Sequence, residues 1–478
     1  MTLTRKHIFR YIPYVFIVLA IGVVTWWFLY NPVKSLSLAE PGLDNRTVDP
    51  ARASETVSIG EFFEYFGDVA SIPGTRWPRF RGADLDNISK ERIPLIDSWG
   101  ASGPKILWKL ELGEGHAAPA VYDGKLYLLD YNETLKRDAL RCLSLETGEE
   151  LWRRSYSVHL KRNHGLSRTV PAVTENYVVT IGPRCQVMCV ERKTGDLLWG
   201  IDLEKEYGVE VPFWYTGQCP LISDDTAIIA VGGSSLMIGV DCRSGNIAWK
   251  TPNPNGWKMS HASVMPMTFK GKKMYLYPAI GGVCGISADG PDRGDILWEN
   301  QEFSPSVIAP SPVVLDKGRI FLTAGYGYGG AVMQLKEQQG KFSTEIIQKY
   351  KPTEGLASEQ QTPIYYNGHL LAIMPKDAGG LRNQFVSFHP DDCRKVLMKS
   401  GKTERFGLGP YIIADGKIFI LNDDGEMTIA KLSTSKFTVL DQAQIIDGQD
   451  SWGPIAITGG YLLMRDSKQL VCIDIKAD

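Results

Sequence analysis

The 478-residue sequence has no extended run of basic residues, and its 52 Lys and Arg nearly balance its 54 Asp and Glu, for a net charge of −2. Proteins that bind nucleic acid through charge carry a basic patch or stripe. The sequence therefore predicts no nucleic-acid partner.

The cysteine motifs that bind zinc or haem are also missing. The eight cysteines include no C-x-x-C pair and no two adjacent residues, which argues against a structural zinc site and an attached c-type haem. Most stand alone in apolar runs, where a cysteine behaves as a small buried hydrophobe. We predict no metal site, and the spacing leaves open a disulfide between Cys185 and Cys189 across a hairpin.

What is present begins with an uncharged apolar segment at residues 11–30, and twenty such residues can span a bilayer as a helix. Basic residues precede this segment and aromatic residues end it, which by the positive-inside rule places the N-terminus in the cytoplasm. These flanking residues are Arg5, Lys6, Arg10, Trp26, Trp27 and Tyr30. We predict a cytoplasmic N-terminus at 1–10, a transmembrane anchor at 11–30, and a remainder on the periplasmic or extracytoplasmic side.

A cleaved signal peptide is the alternative for this segment. The apolar stretch is long for a signal peptide, and the small-residue site near Ala39 is weak. We therefore favour an uncleaved signal anchor, which makes the chain a single-pass protein of the inner or cell membrane.

Residues 31–76 are predicted to be a linker with a short amphipathic segment. The polar stretch 31–56 would hold the main domain clear of the membrane. Within 57–69, apolar residues at helical spacing predict a short helix that packs on the main domain. These residues are Ile59, Phe62, Phe63 and Phe66.

A short phrase recurs along the rest of the chain: a glycine in a polar turn, three residues, and a tryptophan. Each copy ends a unit that is typical of four short antiparallel strands separated by turns. The copies are Gly148 with Trp152, Gly195 with Trp199, Gly245 with Trp249, Gly294 with Trp298, and a looser Gly103 with Trp108.

A proline opens each unit, with a period in the forties to low fifties, and proline is tolerated at the first residue of a strand. The markers are Pro119, Pro171, Pro220, Pro266, Pro312, Pro363, Pro410 and Pro454. They predict an all-β fold in residues 77–478, an eight-bladed β-propeller of four-stranded antiparallel blades. The last unit has about three strands, so residues 105–112 should complete it beside residues 469–475 and close the ring.

The tryptophans of the phrase are predicted to dock neighbouring blades. A tryptophan buries about 150–250 Å². A tryptophan that recurs once in each unit is therefore expected to be buried between neighbouring blades. The docking residues are Trp108, Trp152, Trp199, Trp249 and Trp298. Units five to seven lack the tryptophan and should dock differently and less tightly.

This pattern, in which a glycine–tryptophan phrase ends each four-stranded unit, resembles the pyrroloquinoline-quinone-type, or tryptophan-docking, repeat family over residues 105–478. The stretch Trp77-Pro78-Arg79-Phe80-Arg81-Gly82 also resembles the W-P-x-F-R-G sequence that often precedes such propellers. The resemblance implies one of two functions. One is a quinoprotein alcohol dehydrogenase, and the other is a non-enzymatic scaffold such as the propeller lipoprotein of the outer-membrane β-barrel assembly machine.

The residues that a quinoprotein dehydrogenase needs cannot be placed in this sequence. That activity would imply pyrroloquinoline quinone and calcium, and many such enzymes carry two adjacent cysteines, which are absent here. The acidic clusters at 289–295 and 423–425 and the glycine-rich stretch 325–330 are typical of hairpin turns, and no G-x-S-x-G motif occurs. We predict no cofactor, favour a protein that is not an enzyme, and leave the catalytic residues unknown.

The loops before the proline markers should converge on the mouth of the central channel, which predicts a polar, aromatic funnel. The candidate residues on this rim are His116, His164, Arg168, Trp214, Gln218, Lys258, His261, Gln360, Gln361, Arg405 and Trp452. A plain solvated mouth and a metal site formed by the three histidines are the alternatives.

The sequence thus predicts a membrane-anchored propeller that acts as a binding or scaffold module in the cell envelope. Its partners would be envelope proteins or a small ligand at the funnel. The alternative function is a quinone-dependent alcohol dehydrogenase.

Overall fold

The computed structural model describes residues 5–30, 57–448 and 450–477. The chain divides into two compact units, Met1–Thr47 and Val48–Asp478. The predicted linker at 31–56 lies outside the described residues, as do residues 1–4 of the predicted cytoplasmic N-terminus.

The first unit contains one α-helix, Arg5–Leu29. Its segment Tyr11–Leu29 has a mean hydropathy of 2.2 over 19 residues. At 1.5 Å per residue it is about 28 Å long, close to the thickness of the hydrocarbon core of a bilayer. The helix is therefore long and apolar enough to be the predicted membrane anchor, although a signal sequence would satisfy the same criteria.

The second unit confirms the predicted eight-bladed propeller. Each blade is an antiparallel sheet with four consecutive positions from the channel wall to the rim. The first four blades, from innermost to outermost strand, are Ala120–Tyr122, Lys125–Asn132, Arg137–Ser144 and Glu150–Ser157; Ala172–Val173, Tyr177–Ile181, Gln186–Glu191 and Leu197–Asp202; Leu221–Ser223, Thr226–Ala230, Ser235–Asp241 and Ile247–Pro252; and Met265–Phe269, Lys272–Ala279, Gly282–Ser287 and Ile296–Asn300.

The last four blades continue the same order and close the ring. The outermost strand of blade eight comes from before blade one, and its Trp108 lies opposite Cys472, which confirms the predicted closure. The strands are Val313–Val314, Arg319–Ala324, Gly329–Gln338 and Lys341–Tyr350; Ile364–Tyr366, His369–Ile373, Phe385–His389 and Asp392–Lys399; Tyr411–Ala414, Lys417–Leu421, Glu426–Lys431 and Val439–Gln444; and Ala456–Thr458, Tyr461–Arg465, Gln469–Asp474 and Lys105–Glu111.

The three stretches that were predicted to be hairpin turns do connect neighbouring strands, and the second unit also contains short helical elements. The glycine-rich stretch 325–330 and the acidic stretch 423–425 each join the second and third strands of a blade, whereas 289–295 joins a third strand to an outermost one. The helical elements are the α-helix Leu203–Tyr207 and the 3₁₀ turns Asp316–Gly318 and Gly379–Leu381.

The recurring glycine and tryptophan meet between blades. A Cβ built on Gly195 of blade two would lie 2.9 Å from the ring of Trp152 in blade one. Gly148, Gly245 and Gly294 stand in the same way against the tryptophan of the preceding blade, and all four glycines have φ between 71° and 93°. The glycine therefore serves twice: it permits the left-handed turn, and it leaves room for the neighbouring tryptophan.

Blades five to seven carry other residues at the docking position, next to the same β-bulge. In blade five, Gln348 donates to the Pro390 carbonyl at 2.8 Å and accepts from the Cys393 amide at 3.1 Å. In blade seven, Asp441 accepts from the backbone amide of the buried Trp99 at 2.7 Å. Hydrogen bonds to backbone groups thus replace an indole plug at these two junctions.

The helix predicted within 57–69 is wrong, because Phe62–Tyr65 forms a strand on the outer edge of blade one. An edge strand offers unpaired backbone groups to an extended segment. The side chain of Phe63 then packs on Trp152, with ring centroids 6.4 Å apart, and beneath the guanidinium of Arg154 at 4.5 Å. Pairing with an existing edge overrides the helical spacing of the apolar residues.

The disulfide that the sequence left open is not formed. Cys185 and Cys189 are both buried free thiols. The Sγ of Cys185 lies 3.0 Å from the hydroxyl of Thr216, and the Sγ of Cys189 lies 3.4 Å from the Cys242 carbonyl. Cys185 belongs to the turn before its strand and not to the facing strand, so the two thiols do not meet across the hairpin.

The W-P-x-F-R-G stretch begins a segment, residues 77–88, that passes across the central channel. Trp77 pairs with the innermost strand of blade one, and Arg79 donates to the Ile222 carbonyl of blade three at 3.2 Å. Ile88 forms a parallel bridge with Ile413 of blade seven. Blades three and seven lie on opposite sides of an eight-membered ring, so the segment must cross the channel. We call it the crossing segment.

Candidate functional site

A cavity of about 340 Å³ lies at the mouth of the central channel. Phe80 of the crossing segment lines it from within the channel. Most of the predicted rim residues also line it, from six different connections: His116, His164, Arg168, Trp214, His261, Gln360, Gln361 and Trp452. The structure thus brings these side chains together, as the spacing of the proline markers led us to expect, while their role in binding stays a prediction.

Three predicted rim residues do not line the cavity. Gln218 is fully buried, and its amide bonds to both backbone groups of Ala230 at 2.8–2.9 Å, so it turns into its own blade. Lys258 forms an exposed ion pair with Glu210 at 2.7 Å. Arg405 is exposed and donates to backbone carbonyls of its own neighbourhood.

Two stacked ring pairs form the walls. Trp214 stacks on Tyr326 with centroids 5.9 Å apart and planes 14° apart, and His116 stacks on Trp452 at 5.2 Å and 28°. Tyr326 was not among the predicted rim residues because it lies in the glycine-rich hairpin and not before a proline. Hairpins between second and third strands end at the same face as the rim loops, and this topology was the available signal.

Arg168 dominates the charge of one side of the cavity. Its Nη2 donates to the carbonyls of Asn163 and Gly165 at 3.2 and 3.4 Å. Burial lowers the pKa of Arg168 to about 10, so it stays charged at neutral pH. Burial first, and then the Arg168 charge, lower the pKa of His116 to about 3 and that of His261 to about 4. Both imidazoles are therefore neutral.

A carboxylate faces the cavity from the loop before blade six. The Glu359 side chain is 3% exposed, and its Oε1 lies 3.6 Å from the ammonium of Lys376. Burial raises the pKa of Glu359, and the charge of Lys376 opposes this shift. Neither residue was predicted, because neither has a distinctive neighbour in the sequence, although Glu359 directly precedes the predicted Gln360.

Three of the lining side chains hold a buried polar atom without a hydrogen-bond partner among the described residues. They are Nδ1 of His116, Nε of Arg168 and Oε2 of Glu359. Each unsatisfied buried group costs about 1–3 kcal/mol, and native proteins usually satisfy such groups with protein, water or a ligand. Three at one cavity mark it as a place where polar groups of another molecule would be favourable.

The donor set does not fit a calcium ion with a quinone. Calcium takes six to eight oxygen ligands, with carboxylates prominent. The cavity lining offers the single carboxylate of Glu359, next to a lysine. In the part of the chain that the structure describes, no group of three or more His, Cys, Asp or Glu residues could hold a metal ion.

Asp138 is a buried acid behind the rim, and we expect it to make stability depend on pH. It accepts from the Tyr156 hydroxyl at 2.8 Å and from the Ser167 hydroxyl at 3.1 Å, and burial raises its pKa from 3.8 to about 7. The folded state therefore favours the protonated form. The stability that protonation contributes is present below pH 4 and is lost as the pH rises towards 7, at up to about 1.4 kcal/mol per pH unit.

Urea denaturation at pH 5, 6 and 7 checks this expectation in the wild type and in Asp138→Asn. The amide keeps an acceptor for Tyr156 and can donate to Ser167, so the fold should persist without the titration. The difference in unfolding free energy between the two proteins should change with pH in the stated direction. A constant difference would show that Asp138 titrates normally.

An eight-bladed ring whose blades dock by tryptophan on glycine, closed by a strand from before blade one, defines a PQQ-like β-propeller. The model of one such family, described as outer membrane protein assembly factor BamB, matches residues 136–377. The chain belongs to this family. No curated protein sequence matches it.

Solved structures with the same fold include both kinds of PQQ-like propeller. BamB from Moraxella catarrhalis is 12% identical, with a TM-score of 0.52 over 78% of this chain and 100% of that one. A europium-containing methanol dehydrogenase is 13% identical, with a TM-score of 0.56 over 84% and 89% of the two chains. Quinohemoprotein alcohol dehydrogenase ADHIIG from Pseudomonas putida HK5 is 12% identical, with a TM-score of 0.56 over 84% and 81%. At these identities the likeness shows the fold alone.

Proposed function

We propose that this protein is a membrane-anchored binding module of the cell envelope, with its propeller on the periplasmic or extracytoplasmic side. The apolar helix would be the anchor, residues 31–76 the connection, and residues 77–478 the binding domain. The propeller would hold a small ligand or a segment of an envelope protein in the cavity at the channel mouth.

The observation that carries this proposal is the group of three unsatisfied polar atoms around one aromatic cavity. A solvated channel mouth would leave such groups in contact with water, whereas these atoms are buried. The family membership supports a binding role, since the matched description is that of an assembly factor. The donor set of the cavity gives no support to the alternative, a quinone-dependent dehydrogenase.

Site-specific photo-crosslinking in cells tests whether the channel mouth is the binding surface. Tyr326 is 45% exposed at the rim of the cavity. Lys436 is also exposed, but lies in a hairpin between the third and outermost strands of blade seven, which ends at the opposite face. A photoreactive amino acid at 326 should give adducts with an envelope component or ligand that are absent with the same residue at 436.

Equal adducts at the two positions, or none at 326, would contradict the proposal. The dehydrogenase alternative has its own test. The full chain in detergent is given pyrroloquinoline quinone, calcium, a panel of alcohols and a redox dye. Turnover that requires the quinone would overturn the binding-module proposal.

A further inference from the structure

We propose that the cavity at the channel mouth binds the primary ammonium group of a ligand with an apolar body, and that the Glu359 carboxylate and the ring face of Tyr326 hold this group. The inference rests on the proposed function and gives the chemical class of the ligand. It uses one side of the cavity only, formed by the glycine-rich hairpin of blade five and the loops 351–363 and 374–384 of blade six. These two blades are consecutive in the ring.

Glu359 is the acceptor for the ammonium. Its side chain is 3% exposed and lines the cavity, and its Oε2 has no hydrogen-bond partner among the described residues. Its Oε1 lies 3.6 Å from Nζ of Lys376, which is longer than a hydrogen bond. A buried acceptor without a donor is costly, and a bond from an ammonium to a carboxylate is among the strong ones. A cationic donor that enters from the cavity would therefore satisfy Oε2.

Lys376 shows that an ammonium is accommodated between this carboxylate and an aromatic ring. Its Nζ lies 5.8 Å from the centroid of the Tyr326 ring, within the range of a cation–π contact. The Glu359 carboxylate and the Tyr326 ring thus flank the same ammonium. The Lys376 side chain is 64% exposed, so little packing holds it in place.

The glycine-rich hairpin brings a second acid to the same place. A Cβ on Gly325 would collide with the Glu359 side chain, and a Cβ on Gly327 would lie 3.9 Å from Oδ2 of Asp377. The two glycines are two residues apart, so at most about 7 Å separates their Cα atoms. Asp377 also has a buried oxygen without a partner among the described residues, its Oδ1. Two unsatisfied carboxylate groups therefore lie against the hairpin tip that carries Tyr326.

The charges on this side of the cavity favour a further cation. Burial is the main cause of the raised pKa of Glu359; the charge of Lys376 opposes the shift, and the charges of Asp377 and Asp423 add to it. Asp423 accepts from the indole N–H of Trp452 at 3.0 Å, so it lies directly behind a ring that lines the cavity. One ammonium thus faces three carboxylates, and a second cation would reduce their mutual repulsion.

The rest of the cavity accepts an apolar body. Phe80, Trp214 and Trp452 line it, and Trp214 stacks on Tyr326 with ring centroids 5.9 Å apart. Ligand pockets range over about 300–1,000 Å³, and about 340 Å³ is at the small end. The space suits a small amine or a single lysine side chain, whose methylene stem packs on apolar surfaces in the same way. Both sources present the same primary ammonium.

Three other kinds of cation fit this site less well. A quaternary ammonium has no N–H group and would leave Oε2 of Glu359 unsatisfied. A guanidinium matches both oxygens of a carboxylate at once, but Lys376 lies beside Oε1. A metal ion needs several ligands, and the described residues contain no group of three or more His, Cys, Asp or Glu that could hold one.

Isothermal titration calorimetry of the full chain in detergent tests the proposal with 2-phenylethylamine and two matched analogues. 2-Phenylethanol lacks the charge, and (2-phenylethyl)trimethylammonium keeps the charge but lacks the N–H groups. The amine should bind at least tenfold more tightly than either analogue, since one lost charge-assisted bond is worth that factor or more. An analogue that binds as tightly as the amine would overturn the proposal.

A second arm of the titration distinguishes the two sources of the ammonium. The probes are the peptide acetyl-Ala-Lys-Ala-amide and the same peptide with an acetylated lysine side chain. Binding of the first peptide at least as tightly as 2-phenylethylamine, with loss on acetylation, supports a lysine of a partner protein. Binding of the amine alone supports a small ligand. If neither the amine nor the lysine peptide binds, the proposal is wrong.

Two variants that each remove one charge should act in opposite directions. Glu359→Gln should weaken 2-phenylethylamine at least tenfold, because it removes the anionic acceptor. Lys376→Gln should tighten it roughly threefold, because it removes a competing ammonium whose exposed ion pair is weak. A loss in both variants would indicate a merely structural ion pair and contradict the assignment.

Lys436→Gln, on the opposite face of the propeller, is the matched control and should leave the affinity unchanged. If Glu359→Gln does not fold, the exposed Lys376→Gln decides alone. Tighter binding would then support the site, and unchanged or weaker binding would contradict it.

Failure of this inference can be distinguished from failure of the proposed function. If no primary amine binds but the photoreactive residue at 326 still gives specific adducts, the ligand class is wrong and the binding module stands. If neither is observed, the proposed function falls as well.

Discussion

Replacing Trp152 by alanine should lower the free energy of unfolding by about 3–5 kcal/mol, the usual range for a fully buried tryptophan. The side chain is 1% exposed. It packs against Tyr127 within its own blade, Phe63 of the added edge strand, and Gly195 of blade two. Its indole nitrogen has no partner among the described residues, so the loss comes from packing alone. Urea denaturation of the full chain measures it.

Trp152→Phe and Trp214→Ala are the matched controls for this change. Phenylalanine keeps part of the contact with Gly195, so the loss should be smaller than with alanine. Trp214 lies in the cavity wall and not between blades, so its removal should change stability little. A loss at Trp152 no larger than at Trp214 would show that the tryptophan does not hold blades one and two together.

The number of blades and the closure of the ring were predictable because the sequence units repeat and the last unit is incomplete. Each proline marker lies within two residues of the start of an innermost strand, and a three-strand last unit requires a strand from elsewhere. The edge strand at Phe62–Tyr65 was not predictable in this way. Its partner, Glu150–Ser157, is remote in sequence, and nothing in the local spacing reveals that an edge is free.

The candidate site was predictable to the level of loops and not of side chains. A position before a proline places a residue at the channel end of its blade, which was enough for His116 and Trp452. It does not fix where the side chain points, and Gln218 turns into the blade instead. Glu359 is distinguished by the burial of its carboxylate and by the nearby ammonium of Lys376, and neither feature can be predicted from the sequence.

The crossing segment was recognised only as a resemblance, and its contacts explain why it matters. Arg81 is buried, and its guanidinium donates to four backbone carbonyls, which lie in two parts of the chain. Two belong to its own turn, and two belong to the start of blade six, 281 and 282 residues away. The distances are 2.9 Å to Leu85, 3.2 Å to Asp86, 2.7 Å to Thr362 and 3.1 Å to Pro363. A single side chain thus joins the crossing segment to the far wall of the channel.

Arg81→Met should lower the free energy of unfolding by about 3–5 kcal/mol, because carbonyls left buried without a donor cost about 1–3 kcal/mol each. The loss stays below the summed cost of the four unpaired carbonyls, because methionine does not carry a charge that must be desolvated. That burial is strong enough to lower the pKa of Arg81 to about 10. Urea denaturation of the full chain measures the change.

Arg405→Met provides the comparison that makes this expectation specific. Arg405 also donates to backbone carbonyls, those of Lys402 and Arg382, but it is exposed. Water can replace its bonds, so the change should stay within about 0.5 kcal/mol, as for most surface substitutions. Equal losses at 81 and 405 would mean that burial of the crossing segment does not stabilise the ring. A large loss at 81 alone would show that the ring is held from its centre as well as by the docking tryptophans between its blades.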